Sequence, residues 1–226
     1  MKRVAIIGAG IAGSVVAHII SKHCDVVLFE KARGVGGRMS TKRSDGYHFD
    51  HGAPFFVANS TKFQTFLEPF TAQGILEPWT GRFAEINQQG IQAVRQWDTH
   101  YPHYIAKPGM NELIKALLHD VDICLNSRVQ KIEHCHHQWN IVGDNEEKFG
   151  LFDGLVLAIP SMQAKALLDN VANITMDFPT MQACFSLMLG LKQPVVLPFD
   201  MALVHHPAIS FISCNHSKPE RPMQPS

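Results

Sequence analysis

The chain has 226 residues, 46% of them hydrophobic and 18% charged, with 20 Lys+Arg balanced by 20 Asp+Glu. That composition excludes intrinsic disorder, which needs low hydrophobicity and high net charge, and gives none of the basic excess expected of a nucleic-acid binder. The five cysteines, Cys24, Cys124, Cys135, Cys184 and Cys214, are odd in number, scattered and without a CxxC pair, so they signal neither a disulfide framework nor a zinc ribbon.

Such a chain can build one large domain or two small ones, and its cysteine usage points to a reducing, cytoplasmic setting. The first twenty residues superficially copy a signal peptide, with Lys2 and Arg3 ahead of an apolar run from Val4 to Ile20. Gly8, Gly10 and Gly13 interrupt that run, which is too short and too glycine-rich to cross a membrane, so neither export nor insertion is expected. Val4 to Ile7 reads instead as a buried parallel strand. From Ile11 to Ser21 the apolar positions Ile11, Val15, Val16, Ile19 and Ile20 fall at helical spacing, and Asp25 to Glu30 returns to a strand. This is a βαβ unit with Gly8-x-Gly10-x-x-Gly13 at its strand-to-helix turn. Gly8 permits the tight turn, Gly10 lets a pyrophosphate approach the backbone, and Gly13 lets helix and strand pack closely. The helix N-terminus then offers unpaired amides and a positive dipole end to phosphate. Glu30 ends the second strand, where a carboxylate accepts from ribose hydroxyls and disfavours a 2′-phosphate. These features fit NAD and FAD alike.

The stretch Lys31-Ala32-Arg33-Gly34-Val35-Gly36-Gly37-Arg38-Met39 adds a second glycine-rich loop. Its glycines remove side chains where a bulky ligand would lie, and its two guanidinium groups suit phosphate oxygens. A nicotinamide enzyme has no evident use for such a loop, so the reading moves toward FAD; the competing reading is a basic surface turn.

Beyond Phe56, residues Phe63, Phe66, Leu67 and Phe70 fall at helical spacing, and Trp79, Phe83, Trp97, Tyr101 and Tyr104 follow. These aromatics could wall a planar substrate pocket or simply fill a core. Gly109 to His119 reads as an amphipathic helix with Met110, Leu113, Ile114, Leu117 and Leu118 on one face. Val121 to Leu125, Val129 to Ile132 and Trp139 to Val142 read as short strands of a β-meander, and Asp153 to Ile159 as an apolar strand stopped by Pro160. Met162 to Leu168 reads as a helix, and Cys184 to Leu191 and Ala208 to Cys214 as strands of a second, antiparallel layer. His134-Cys135-His136-His137 contains metal-ligating side chains, but adjacent strand residues point to opposite faces, so a solvated hairpin tip is expected and no metal. His48 and His51 flank Asp50; with no GxSxG elbow in the chain, Asp50 reads as support for a cofactor loop and His51 at most as a proton shuttle.

The runs GAGIAG, FEKARGVGGRMST and FDHGAPFF resemble the flavin-containing amine oxidase superfamily, and within it the renalase-like branch of bacterial FAD-dependent oxidoreductases. Lys107-Pro108-Gly109-Met110-Asn111-Glu112-Leu113, Ser127-Arg128-Val129, Leu155 to Pro160 and Asn215-His216-Ser217-Lys218-Pro219 occur in the family order, so the resemblance covers essentially the whole chain. It implies that Gly8, Gly10, Ala12 and Gly13 surround the FAD pyrophosphate and that Glu30 binds the adenosine ribose. Arg38 would follow the phosphates and ribityl chain, within a cofactor loop that includes Lys31, Arg33, Gly37 and Met39. The backbone of Ala53, Pro54 and Phe55 would lie near the isoalloxazine, and that of Val129 near adenine. The family's late Gly-Asp dipeptide opening a final helix has no match here, since Gly143-Asp144 runs into the polar turn Asn145-Glu146-Glu147-Lys148; the expectation is of a C-terminally truncated or degenerate relative with an unfinished sheet.

The expected fold is therefore α/β: a Rossmann-like FAD-binding domain of residues 1–56 and 103–159, interleaved with an incomplete antiparallel α+β substrate domain of residues 57–102 and 160–226. The expected function is an FAD-dependent oxidoreductase, taking a hydride from an amine or reduced-nicotinamide-type small molecule and passing the electrons to oxygen. No catalytic side chain is expected to stand out, because the cofactor carries the chemistry. The competing readings are an NAD-binding oxidoreductase and a non-catalytic dinucleotide-binding fragment.

Overall fold

The computed structural model describes residues 1–98, 100–169, 171, 176–193 and 195–221; of the proline-bearing tail, 222–226 lie outside the described residues. In chain order the elements are β1 (Arg3–Ile7), α1 (Ile11–Ile20), β2 (Asp25–Phe29), β3 (Thr41–Ser44), β4 (Tyr47–Asp50), β5 (Phe56–Val57), α2 (Thr61–Ala72), β6 (Leu76–Pro78), β7 (Arg82–Asn87), β8 (Gly90–Gln96), β9 (His103–Ala106) and α3 (Glu112–Leu117). They continue as β10 (Asp122–Cys124), β11 (Val129–Cys135), β12 (Gln138–Gly143), β13 (Lys148–Phe152), β14 (Gly154–Leu157), α4 (Ser161–Leu168), β15 (Met201–Val204) and β16 (Phe211–Ser213). Two compact units result: Met1–Arg38 with Ile114–Phe185, and Met39–Leu113 with Ser186–Ser226. The sequence reading assigns 39–56 and 103–113 to the nucleotide-binding domain and 160–185 to the substrate domain; by packing, the first two stretches fall in the second unit and the third in the first.

The first unit is built on a parallel sheet of order β10-β2-β1-β14. Its strands are the apolar runs RVAII, DVVLF and GLVL, which suit a sheet covered on both faces. One cover is the antiparallel sheet β11-β12-β13, whose Ile141 and Phe152 close a core with Ala5, Val27 and Phe29. Phe29 meets Phe152 edge-on at 5.8 Å, an arrangement favoured by the ring quadrupoles. The β11–β12 hairpin turns on His136 and His137, both with left-handed backbone at φ 50° and 63°, so the His/Cys run is a hairpin tip as expected. No group of three or more His, Cys, Asp or Glu able to hold a metal occurs among the described residues.

The second unit combines the β3–β4 hairpin, a small sheet β5-β9-β6 and a four-stranded sheet β16-β15-β7-β8, in which β15 runs parallel to β7. Ser60 caps α2 by accepting from the Phe63 amide at 3.3 Å, and the helix buries Leu67 and Phe70. One sequence expectation fails here: Cys184 to Leu191 forms no strand despite its apolar run. The segments TKRS and GIQAVRQ, to which the sequence gives no element, do form strands. A hairpin fixes the latter through its ladder and turn, whereas an apolar run becomes a strand only where another backbone pairs with it. No helix among the described residues is long and apolar enough to cross a membrane.

Candidate functional site

The turn between β1 and α1 holds three glycines in three different environments. Gly8 has φ +106°, and a Cβ there would lie 2.7 Å from the Ala158 carbonyl oxygen. At Gly13 a Cβ would come within 2.0 Å of the Gly8 carbonyl oxygen. Around Gly10 a Cβ would find nothing within 4 Å. Two of the glycines are thus required by protein packing, while the third faces open space at the first turn of a helix. That helix has no side-chain cap and no acidic residue in its first turn, so among the described residues no N-cap side chain occupies its amide end. Ser14, fully buried in the same turn, has no partner for its hydroxyl among the described residues, a feature the sequence reading missed.

Glu30, 9% exposed, accepts from the Ala9 amide at 2.9 Å and from the Ala32 amide at 2.8 Å. It therefore ties the first glycine loop to the second. The Gly36 amide donates to the Ala9 carbonyl at 2.9 Å, and a Cβ on Gly37, which has φ +52°, would sit 3.2 Å from the Gly10 Cα. The turn before β11 joins the same assembly, because the Ser127 amide donates to the Glu30 carbonyl and the Asn126 amide to the Ala32 carbonyl, at 2.9 and 3.1 Å. Val129 follows as the first residue of β11. The structure thus brings together Gly8, Gly10, Ala12, Gly13, Glu30, Gly37 and the approach to Val129 within the first unit. Arg33 and Arg38 are exposed, whereas Lys31 turns aside to the Gln163 side-chain oxygen at 3.1 Å. Met39 is a buried side chain of the second unit, 7% exposed.

An adenine dinucleotide fits these residues. The uncapped amides and the space at Gly10 suit a pyrophosphate, the Glu30 carboxylate keeps lone pairs for ribose hydroxyls, and the exposed Arg33 and Arg38 supply cations. The parallel sheet places this turn at the carboxyl end of β1, between β2 and β14, which is the topological position where such folds bind nucleotides.

The second unit carries a different constellation. Asp50 accepts from Lys218 at 2.7 Å, from Arg221 at 2.9 Å and from the Thr41 hydroxyl at 2.6 Å, and the Asp50, Lys218 and Arg221 side chains are all fully buried. Lys218 also donates to Asn215 Oδ1 at 2.9 Å, and its ammonium lies 5.5 Å from the Trp79 ring centre. Burial drives the Lys218 amine down to about 8, against the opposing pull of the Asp50 charge. For Asp50 burial works the other way, and the two cations prevail and hold its carboxyl below the usual range. Asp50 is thus a buried anchor within the second unit, while His51 bonds through Nε2 to the Ser40 hydroxyl at 3.0 Å. Among the aromatics, His103 stacks on Trp97 with ring centres 3.5 Å apart, Phe55 lies 4.9 Å from Trp97, and Trp79 meets Trp97 edge-on at 5.5 Å. Burial lowers the His103 pKa, which favours a neutral ring in this cluster. Ala53 and Pro54 lead into it, half-buried.

Residues 6–70 match the NAD(P)-binding Rossmann-like domain family. The chain is 25% identical to renalase of Mus musculus over 243 aligned positions, covering 96% of this chain and 67% of that protein. A shorter stretch of 51 residues is 45% identical to a diapophytoene desaturase of Staphylococcus aureus, spanning 22% of this chain and 10% of that enzyme. Among solved structures, one from Exiguobacterium sp. 255-15 assigned as a protoporphyrinogen oxidase superposes with a TM-score of 0.67 at 14% identity, over 96% of this chain and 75% of that one. A tetracycline destructase superposes with a TM-score of 0.55 at 13% identity, over 74% and 41% of the two chains.

Proposed function

We propose that this chain, a renalase-like member of the FAD-dependent amine oxidase superfamily and a flavin-dependent oxidoreductase, acts on an amine or reduced-nicotinamide-type donor with oxygen as electron acceptor. When bound, FAD supplies the two-electron chemistry, accepting a hydride and giving up the electrons again. The residues of the chain bind and orient. Gly10 and the open end of α1 receive the pyrophosphate, Glu30 the adenosine ribose, Arg38 and Arg33 the phosphate charge, and the backbone at Val129 the adenine. We assign the stacked Trp97–His103 pair and Phe55 in the second unit to a planar donor, since flat faces recognise flat rings and a neutral His103 does not repel a cationic one.

The observation that carries this reading is the contrast between Gly10, which faces space, and Gly8 and Gly13, which face protein. A turn built only for folding has no use for the empty position. Purified protein should be yellow, with the absorption bands of oxidised flavin, and should bleach when a true donor is added anaerobically. A colourless protein that binds NAD would replace this reading by a nicotinamide-dependent one, and a colourless protein that binds neither by a non-catalytic one.

A further inference from the structure

Asp50, Lys218 and Arg221 set two cations against one carboxylate, with all three side chains shut off from solvent. Oδ2 of Asp50 accepts from Lys218 Nζ at 2.7 Å and from Arg221 Nε and Nη2 at 3.2 and 2.9 Å, while Oδ1 accepts from the Thr41 hydroxyl at 2.6 Å and from the Met110 amide at 3.4 Å. The remaining acceptors are neutral: Asn215 Oδ1 for Lys218, and the Ala106 and Pro219 carbonyls for Arg221. The charges that act on the Lys218 amine are those of Asp50 and Arg221. On the surrounding elements, Lys107 binds Glu77 and Glu220, which are 42% and 57% exposed and so screened by water, and Arg43 binds Glu112. Burial, and then the Arg43 and Arg221 charges, hold the His48 ring below its ordinary pKa, so it stays neutral. The cluster therefore carries one positive charge in excess. A charge taken out of water is costly without an opposite charge beside it, and a network serving the fold alone would be balanced.

The excess charge lies beside the aromatic cluster of the same unit. Lys218 Nζ is 5.5 Å from the Trp79 ring centre, Trp79 meets Trp97 edge-on at 5.5 Å, and Trp97 stacks on His103. Resting on the reading of a flavin-dependent oxidoreductase whose planar donor meets that stack, we propose that the Asp50–Lys218–Arg221 cluster tunes the redox step, its unmatched positive charge stabilising the negative charge that FAD gains with the electron pair. In that step a C–H bond of the donor breaks and the hydrogen passes with both electrons to the flavin ring; the donor is oxidised and becomes one unit more positive, and FAD is reduced and becomes one unit more negative. The same field repels the oxidised donor and favours its departure. A field needs no contact, so full burial is no obstacle and keeps the charge unscreened. Two unit charges about 10 Å apart, at an effective dielectric of about 20, shift an equilibrium roughly tenfold, which is about 30 mV for a two-electron couple. Lys218 loses its proton at about 8, so the excess charge is present at neutral pH and disappears above that value. The coupling is reciprocal: negative FAD helps Lys218 keep its proton, so reduction just above pH 8 takes up an additional proton.

The midpoint potential of the bound flavin, titrated anaerobically on the full FAD-loaded chain, tests this. Lys218→Met removes the unmatched charge, leaves Asp50 with Arg221, and is expected to lower the potential at pH 7 by about 30 mV, tenfold in the two-electron equilibrium. Lys218→Arg keeps the charge and is expected to keep the wild-type potential. In the wild type the potential is expected to fall more steeply with pH just above pH 8 than just below it, whereas in Lys218→Arg, whose guanidinium does not titrate there, the slope stays constant. The wild-type slope is read without any variant, so it decides the matter even where Lys218→Met does not fold. A Lys218→Met potential equal to the wild type, or a wild-type slope that does not steepen above pH 8, overturns the inference while a yellow protein still upholds the flavin reading. A colourless protein that takes up no FAD overturns both.

Discussion

Lys218 Nζ lies 2.7 Å from Asp50 Oδ2, 168 residues away along the chain, and neither side chain is exposed to solvent. Arg221 shares the same carboxylate oxygen, so two buried cations depend on one anion. Removing the anion leaves both uncompensated, and the cost of such a buried charge exceeds what the pair contributes in place. Asp50→Asn is therefore expected to destabilise the fold by about 3–5 kcal/mol, whereas Lys218→Met, which leaves Asp50 paired with Arg221, should cost less. Urea midpoints of the two variants at neutral pH decide it, and an Asn variant as stable as the wild type would show the cluster to be dispensable.

The same amine gives a pH signature. Its folded pKa of about 8 lies below the ordinary 10.5, so between those values the unfolded chain binds a proton that the folded chain does not. Stability contributed by this group therefore rises with pH across that window, and the cost of keeping the amine charged is fully present below 8. From pH 7.5 to 9.5 the wild type should gain about 2 kcal/mol relative to Lys218→Met, which lacks the titrating group. Parallel stability curves for the two proteins over that range would refute the assignment.

Glu30 performs two tasks that one substitution can separate. Its carboxylate takes the Ala9 and Ala32 amides, so Glu30→Gln, with a single acceptor oxygen, must leave one amide facing an NH₂ group. The loss expected from that alone is about 1–3 kcal/mol of stability in cofactor-free protein. If Glu30 also binds the ribose, FAD retention should fall further than the stability loss explains, and the wild type should prefer NAD or FAD over NADP. Equal binding of NADP by the wild type, with unaltered FAD affinity in the variant, would reduce Glu30 to a backbone tie.

How much of this was legible in the sequence depends on how local each feature is. The βαβ unit, Gly8-x-Gly10-x-x-Gly13 and Glu30 lie within thirty residues and carry their own periodicity, so they could be read directly. The β3–β4 and β7–β8 hairpins could not, because exposed strands such as GIQAVRQ have no apolar alternation and are defined by the backbone they pair with. Asp50 was legible as a support, but its partners were not: nothing in Asn215-His216-Ser217-Lys218-Pro219-Glu220-Arg221 announces that two of its cations are fully buried. Cys184 to Leu191 misled for the converse reason, since its apolar run promised a strand and the described chain supplies no ladder for it.

The sharpest discrimination lies between two glycines three residues apart. Gly13→Ala places a methyl group 2.0 Å from the Gly8 carbonyl oxygen, a backbone atom that can yield only if α1 shifts off the sheet. The expected cost is about 3 kcal/mol or more, visible as a lower urea midpoint with or without cofactor. Gly10→Ala places the same methyl group in open space, on a residue whose φ of −79° and ψ of 178° suit any side chain. Its effect on folding should stay within about 1 kcal/mol, while the methyl occupies the room that the pyrophosphate needs. A stable, colourless Gly10→Ala protein beside a destabilised Gly13→Ala protein is the expected pair of results, read from the flavin absorbance per chain and the unfolding midpoint. Full flavin retention in the Gly10 variant would mean that the space beside α1 is not where the cofactor's phosphates bind.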